Sequence, residues 1–278
     1  MTLTVVFLMQ AGVHDPPLSQ KQSMNFFAHK SAAERYAQHR PYFHPLVIEK
    51  IKLHLELNTP VERALDVGCG TGQSATALKE IAKSVIGIDV SDEMLGLATR
   101  QAGIEYRNAS AEDLSMFDDS TFDLITTSMA IHWFDHKQFL TEAHRVLKTR
   151  GWLIPYTNGF HGKMKENESF EQWSREIYPS RYPAPPRDST PMTAERANEF
   201  GFSSFHMERF QNEVQFTADE LSAYLTTQSN VIAAVEQGDE TIDDVYLWLV
   251  SQTKPYFHSI KATFMFGGSI WYLQKGAV

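Results

Sequence analysis

The sequence predicts an α/β fold, a mostly parallel sheet covered by helices on both faces, and three observations carry that prediction. From residue 61 onward, short apolar runs of strand length alternate with stripes of helical period. The first of these strands ends in a glycine turn, Leu65-Asp-Val-Gly-Cys-Gly-Thr-Gly72, and a helical stripe starts directly after it. The second strand ends in an acid, Asp89, seventeen residues after Gly72, close to where the carboxylate of a ribose site is expected.

Taken in order, residues 24–58 read as two helices. Ala32, Ala33, Tyr36 and Ala37 form one stripe, which Pro41 ends; after Pro45 a second carries Leu46, Val47, Ile51 and Leu55. The first strand is the apolar run Ala64, Leu65, Val67, and Ala75, Leu78, Ile81 and Ala82 share one face of the helix after the turn. Strand two is Ser84–Asp89; Ser91, Asp92 and Glu93 then supply an N-cap and an acidic first turn. Strand three, Ile104–Arg107, leads into Asn108-Ala-Ser-Ala-Glu-Asp-Leu114, where Ser110 and Asp113 have the spacing of a helix cap. Strand four, Thr121–Thr127, runs into Ser128-Met-Ala-Ile-His-Trp-Phe-Asp135; the next helix buries Phe139, Leu140, Ala143, Val146 and Leu147, with Gly151 as its stop before strand five, Trp152–Tyr156. Residues 158–200 break the rhythm. They hold Pro179, Pro183, Pro185, Pro186 and Pro191 among several aromatics, too aromatic for a bare linker, and read as a lid. Strand six is expected at Phe205–Phe210, a capping box at Thr217-Ala-Asp-Glu220, an amphipathic helix at Ile242–Leu249, and a last strand at Ala262–Leu273 with a bulge at Gly267-Gly268. The expected organisation is an extension over 1–23, a core over 24–157, the lid over 158–200 and the rest of the same domain over 201–278.

Bulk properties narrow the function classes. With 278 residues, 42% hydrophobic and 21% charged, the chain is an ordinary soluble globular type, large enough for one domain with a lid. Its net charge of −9 argues against a wide grip on a nucleic-acid backbone. The apolar run Thr4–Met9 lacks a basic n-region and is too short to span a bilayer. Neither nucleic acid nor membrane is an expected partner, and a small-molecule substrate is. The single cysteine, Cys69, precludes an intrachain disulfide, compatible with a cytoplasmic setting. It reads as a small residue fitting a tight turn, since no base lies near it in sequence to make it a catalytic thiol.

The ligand question turns on Asp66 and Gln73. A dinucleotide site closes its Gly-x-G-x-x pattern with a small residue, where this chain has Gln73. A carboxylate at Asp66 would also repel a pyrophosphate on the helix N-terminus, whereas it suits a ligand bearing an ammonium and no phosphate. No Lys-Ser or Lys-Thr closes a Walker A loop. S-adenosylmethionine, with its ammonium, sulfonium and free ribose diol, fits Asp66 and Asp89 together. Asp89 alone does not separate it from NAD, which presents the same ribose. An adenine then needs an acceptor and a backbone donor, for which Glu112 and Ala111 are candidates. Tyr36 and Arg40 are candidates to cap the pocket, Arg40 by pairing a carboxylate.

These stations together resemble the class I S-adenosylmethionine-dependent methyltransferases. The carriers are Leu65–Gly72, Asp89, Ser110-Ala-Glu112, Phe122-Asp-Leu-Ile and Glu142-Ala-His-Arg-Val-Leu-Lys148 with Gly151. Within that family the chain is similar to the trans-aconitate methyltransferase-like small-molecule group, through Tyr36-x-x-x-Arg40-Pro41, Ala130-Ile-His-Trp-Phe134 and Leu221-x-x-Tyr-Leu225. The resemblance implies a Rossmann-like, seven-stranded sheet of order 3-2-1-4-5-7-6 with strand seven antiparallel, and S-adenosylmethionine as cofactor. It places Asp66, Gly68, Cys69, Gly70, Gly72, Asp89, Val90, Met94, Ala111, Glu112, Ser128 and Trp133 at that cofactor, with Tyr36 and Arg40. Strand four is followed by Ser128-Met-Ala-Ile, not the Asn/Asp-Pro-Pro-Tyr/Phe motif of enzymes that methylate adenine or protein glutamine. His132 is the candidate base, with a structural or stacking role beside Trp133 as the alternative. His132 and His136 lack the Glu of a metalloprotease pair, so no metal is expected. Arg181 and Arg187 of the lid are candidates for an anionic substrate. Two other classes stay open: an NAD-dependent oxidoreductase, and a non-catalytic S-adenosylmethionine-binding protein.

Overall fold

The computed structural model describes residues 29–238 and 240–277; the extension expected over 1–23, its apolar run and a domain start at Met24 lie outside the described residues. Two helices come first, α1 (Lys30–His39) and α2 (His44–His54). Arg40 leaves α1 in an extended conformation ahead of Pro41, as the residue before a proline is forced to do. Pro45 sits in the first turn of α2, where its missing N–H leaves no helical bond unmade.

The sheet then assembles from β1 (Val61–Val67), α3 (Gln73–Leu78), β2 (Ala82–Asp89), α4 (Asp92–Gly96), β3 (Ile104–Asn108), β4 (Phe122–Ser128), α5 (His136–Val146) and β5 (Leu147–Tyr156). These five strands pair in parallel, β3-β2-β1-β4-β5. Leu65, Val67, Ile88, Leu124, Ile125 and Leu153 are wholly buried, the consequence of covering both faces of a parallel sheet. One core joins α5 to one face and another joins α2 and α3 to the opposite face.

Past β5 come β6 (Gly159–Met164), α6 (Ser169–Gln172), a π-helical turn at Trp173–Ile177, α7 (Tyr178–Arg181), α8 (Ala194–Glu199), β7 (Phe202–Phe216), α9 (Ala218–Leu225), α10 (Ser229–Glu236), α11 (Ile242–Thr253) and β8 (Ala262–Lys275). β8 is antiparallel to its neighbours. Its lower half pairs with β5 and its upper half with β6 along one edge, while β7 follows the other edge from end to end. The expected order is therefore recovered with β8 as the seventh strand and β7 as the sixth. β6 is an addition, and it turns the start of the expected lid into part of the sheet. The proline-rich stretch beyond it carries its own core, in which Phe170, Trp173 and Tyr182 pack with Tyr224, Leu249 and Phe264.

Several local expectations are corrected. α3 ends at Leu78, so neither Ile81 nor Ala82 is on the helix: Ile81 is buried at the approach to β2 and Ala82 opens that strand. Gly151 does not stop α5. The chain leaves the helix at an extended Leu147 and Gly151 lies within β5, beside an irregularity where Arg150 takes a φ of 63°. No bulge occurs at Gly267-Gly268, since β7 pairs with β8 in unbroken register through Gln211 and Phe210. The glycine at 268 serves close approach instead: a Cβ there would stand 2.0 Å from the Thr157 carbonyl oxygen, at the break between β5 and β6. α10 was not anticipated, because its short stripe lacks a side-chain cap.

Candidate active site

The glycine turn sits at the carboxyl end of β1, where ligands of open α/β sheets bind. Gly68, Gly70 and Gly72 have φ values of 69°, 52° and 79°, a left-handed backbone that side chains resist. Space is as limiting as conformation. A Cβ at Gly68 would lie 2.7 Å from Ala130 Cβ, one at Gly70 2.9 Å from Met94 Cε, and one at Gly72 2.2 Å from the Tyr106 hydroxyl. Tyr106 was not singled out from the sequence; it closes the turn's flank and donates to the Thr99 carbonyl at 3.1 Å.

Asp89 clasps this turn. Its Oδ2 accepts the Gly70 N–H at 2.8 Å and its Oδ1 the Ser91 N–H at 2.9 Å, so one carboxylate ties the turn to the start of α4. Ser91 in turn caps α4 by accepting the Met94 N–H. Burial pushes the Asp89 carboxyl above its usual range, and the backbone donors oppose the shift. Met94 is buried beneath Gly70 while Val90 stands 54% exposed at the lip. The Cys69 side chain is buried under the turn against Gly87, and burial pushes its thiol up, with Asp66 and Asp89 adding to the effect. Cys69 thus fills space.

Asp66 is wholly buried and gives one oxygen to the Ser74 hydroxyl and the other to the Thr126 hydroxyl, the latter at 2.9 Å. Burial raises its carboxyl to about 7 against the opposing pull of those two hydroxyls, and the charge of Asp89 adds to the rise. Any influence of Asp66 on a ligand therefore passes through its neighbours' hydroxyls and its field. On the next loop Ala111 is buried, and Glu112 accepts the Ser110 hydroxyl and, at 2.9 Å, the Asp135 N–H. Ser110 caps no helix: its hydroxyl accepts the Glu112 N–H within a turn.

Beside the turn lies a narrow, partly enclosed cleft, whose lining includes Tyr36, Arg40, His44, Ser128, Asn158 and Tyr224. Arg40 lies 4.7 Å from the Tyr36 ring centre and 5.5 Å from that of Tyr224, and donates to the Thr227 carbonyl at 2.7 Å. His44, buried on the cleft floor, shares a 3.0 Å hydrogen bond with the Tyr156 hydroxyl, and burial lowers it to about 3. His44 and Asn158 carry no local sequence signal, since they are single residues from distant elements. Tyr224 was visible only as part of Leu221-x-x-Tyr-Leu225.

After β4, a single helical turn at Ile131–Trp133 carries His132 and Trp133. Trp133 packs with Ala32 of α1 and Ile232 and Ala233 of α10. Arg187, though an exposed residue, turns its guanidinium inward, 5.1 Å over the Trp133 ring, and donates to the Ser229 hydroxyl. His132 is lowered to about 4, by burial first and then by the charges of Arg187, His136 and Arg40. Arg181 is differently placed: it pairs with Glu240 at 2.8 Å and stacks 4.6 Å from the Trp248 ring, an exposed structural position on the lid. The structure thus gathers the turn residues with Asp89, Val90 and Met94, places Ala111 and Glu112 on the neighbouring loop, and groups Tyr36, Arg40 and Ser128 around the cleft. It sets Arg181 apart.

Comparison with known proteins agrees with this geometry. A methyltransferase domain family matches residues 65–154, the segment from the glycine turn into β5. A Dictyostelium discoideum protein named as a methyltransferase is 30% identical over 160 residues, covering 56% of this chain and 60% of its own length. A Saccharomyces cerevisiae protein named as an S-adenosylmethionine-dependent methyltransferase is 32% identical over 113 residues, 38% of each chain. The chain therefore spans less than two thirds of the length of these relatives. A solved structure from Anaeromyxobacter dehalogenans, described as a type II methyltransferase, superposes with a TM-score of 0.61 at 20% identity over 85% of this chain and 96% of its own, and shares the fold. Over residues 65–154 the chain matches a methyltransferase domain family, and it shares its fold with a solved structure described as a methyltransferase.

Proposed function

We propose that this chain transfers the methyl group of S-adenosylmethionine to a small-molecule acceptor bound in the cleft beside the glycine turn. The observation that carries this reading is the turn itself, three left-handed glycines clasped by Asp89, which leaves bare backbone and a carboxylate facing where a ribose would lie. The residues present fit the cofactor. Asp89 retains lone pairs for a ribose diol, Glu112 and the Ala111 N–H suit the adenine edge, and Met94, Val90 and Trp133 suit its faces. Arg40 has its Nε buried without a partner among the described residues, and with Tyr36 it suits the methionine carboxylate. Gly68, Cys69, Gly70, Gly72 and Ser128 supply the surface against which the methionine end would rest, with Asp66 behind it.

When bound, S-adenosylmethionine supplies a methyl carbon already activated by sulfonium. What remains for the chain is orientation: the nucleophile must be held close to that carbon and in line with the departing sulfur. A proton acceptor is needed only where the nucleophile is protonated. His132, held to about 4, is neutral at pH 7 but a weak base, so it suits positioning and hydrogen bonding beside Trp133 better than proton abstraction. The acidic balance of the chain, −9, supports a small acceptor over a nucleic acid, and its one buried thiol suits a cytoplasmic setting.

Calorimetry with S-adenosylmethionine, S-adenosylhomocysteine and NAD tests the reading. Binding of the first two and not the third is expected; NAD binding without a response to S-adenosylmethionine would overturn it. Transfer of labelled methyl to a metabolite panel tests turnover, and binding with no transfer to any member would favour a non-catalytic role.

A further inference from the structure

We infer that the cleft binds an uncharged acceptor presenting an amide edge, a carboxamide or a lactam, and that the Asn158 side chain reads that edge; this rests on the methyltransferase reading. The observation that carries it is a buried amide with nothing to bind. Asn158 follows β5 and is only 5% exposed, yet its Oδ1 and Nδ2 are both buried without a partner among the described residues. It lines the cleft beside the turn. Buried polar groups are nearly always matched, and an unmatched amide loses its water without recovering a hydrogen bond. A ligand that enters the cleft can complete it. The position is also firmly held. The Asn158 backbone N–H is directed at Met129 Sδ, 2.9 Å away, and Met129 lines the same cleft. Met129 takes a φ of 56° while its own N–H bonds the Tyr156 carbonyl at 2.9 Å. A non-glycine residue keeps such a backbone only where its surroundings over-determine it, as binding sites do.

The pattern of atoms defines the partner. A primary amide offers an acceptor and a donor side by side, and a half-turn of the group only interchanges them. A second amide edge answers both at once, its N–H bonding Oδ1 and its carbonyl accepting from the N–H₂. A carboxylate would accept from Nδ2 but set its other oxygen against Oδ1; an ammonium would bond Oδ1 and set its protons against the N–H₂. Charge leads to the same class. Among the described residues Arg40 is the one charged side chain in the cleft's lining. With Arg40 given to the cofactor's carboxylate, no unspent protein charge faces the acceptor. His44 on the cleft floor is held to about 3 and is uncharged at pH 7. A charged acceptor would therefore enter a part-buried space without a counter-charge from the protein. Phe43, Tyr224 and Phe266 also line the cleft and suit a flat body, so the amide edge belongs on a ring.

The test uses the full chain saturated with S-adenosylhomocysteine, titrated by calorimetry with benzamide and 2-pyridone. The controls keep an aromatic ring and change the edge: benzoate, benzylamine, and N,N-dimethylbenzamide, which has no N–H. At least one of the two amides should bind about tenfold or more tightly than every control. Asn158→Leu should weaken that amide by about tenfold while leaving S-adenosylhomocysteine affinity within about twofold. Asn158→Ser gives the same readout should the leucine variant fail to fold. Equal binding of amides and controls, preference for the acid or the amine, no binding of either amide, or unchanged amide affinity in the Asn158 variants would overturn the proposal. Failure of the wild-type chain to bind S-adenosylhomocysteine would overturn the methyltransferase reading instead.

Discussion

Replacing Asp89 with alanine separates what its carboxylate does for the fold from what it does for a ligand. In the folded chain Oδ2 and Oδ1 accept the Gly70 and Ser91 N–H groups at 2.8 and 2.9 Å. Hydrogen bonds to a charged acceptor contribute roughly 1.5–3 kcal/mol each. The burial that raises the Asp89 carboxyl opposes that gain, so the variant should lose about 1–3 kcal/mol of stability, read by urea denaturation. The ligand effect is separate. A ribose diol would use the lone pairs that the two backbone donors leave free, and removing them should weaken S-adenosylmethionine binding by about 1–3 kcal/mol, roughly 5- to 150-fold in Kd. Calorimetry at a temperature where the variant remains folded measures this. The carboxylate is the form that accepts both hydroxyls, so wild-type affinity should fall as pH drops through the raised Asp89 value, and the alanine variant should lack that dependence. A folded variant with unchanged affinity would remove Asp89 from the site and with it the main support for the cofactor's placement.

Three other outcomes are expected. Gly72→Ala forces a side chain into a φ of 79° with its Cβ 2.2 Å from the Tyr106 hydroxyl; a loss of about 2–4 kcal/mol is expected by denaturation. Tyr106→Phe in the same background should restore part of it, and no restoration would assign the loss to backbone strain and the Tyr106 ring, whose Cζ would stand 2.8 Å from that Cβ, and not to the hydroxyl. Cys69 should resist iodoacetamide in the folded chain and react only in denaturant, because its thiol is buried and raised; fast labelling of the native protein contradicts this. His44, lowered to about 3 by burial, contributes stability that is present above its unfolded value of 6.5 and lost as pH falls towards 3. Between pH 7 and 4 wild type should therefore lose about 3 kcal/mol more than His44→Gln, and equal losses would show that His44 titrates as if exposed.

What was legible in the sequence follows from how far apart the contributing residues lie. The turn at 65–72, the Ser91 cap and the Thr217–Glu220 capping box are local, so residue type and spacing state them directly, and the structure shows the two caps as side-chain hydrogen bonds. β8 was legible as a strand, but the role of Gly268 was not, because what it makes room for is the Thr157 carbonyl, 111 positions earlier. Gly151 misled for the same reason: after a helical stripe it looks like a stop, but the pairing of β5 with β4 places it inside the sheet. β6 hid in a proline-rich stretch because only pairing with Phe266 and Phe264 of β8 makes six ordinary residues a strand. Arg181 and Arg187 look alike in sequence, and only Glu240, 59 positions on, distinguishes the ion-paired one from the one that stacks on Trp133.

The same contrast bears on how such a chain sets its chemistry. The residues proposed for the cofactor come mainly from the ends of β1 and β2 and the loop after β3, Asp66, Asp89 and Glu112: Asp89 holds the turn through the Gly70 and Ser91 N–H groups, Glu112 accepts the Asp135 N–H, and Asp66 accepts the Ser74 and Thr126 hydroxyls. A substitution there disturbs fold and ligand together, so the site tolerates little change. The cleft draws Tyr36 and Arg40 from the α1 end, Ser128 from β4, Asn158 from beyond β5 and Tyr224 from α9. No two of these elements share a hydrogen-bond ladder except β4 with β5. Exchanging Asn158 should therefore leave the turn in place and act independently of Asp89: the effect of Asn158→Leu on stability should be the same with and without Asp89→Ala, to within about 0.5 kcal/mol. A larger coupling, measured by urea denaturation of the double variant, would mean that the cleft and the turn form one connected network.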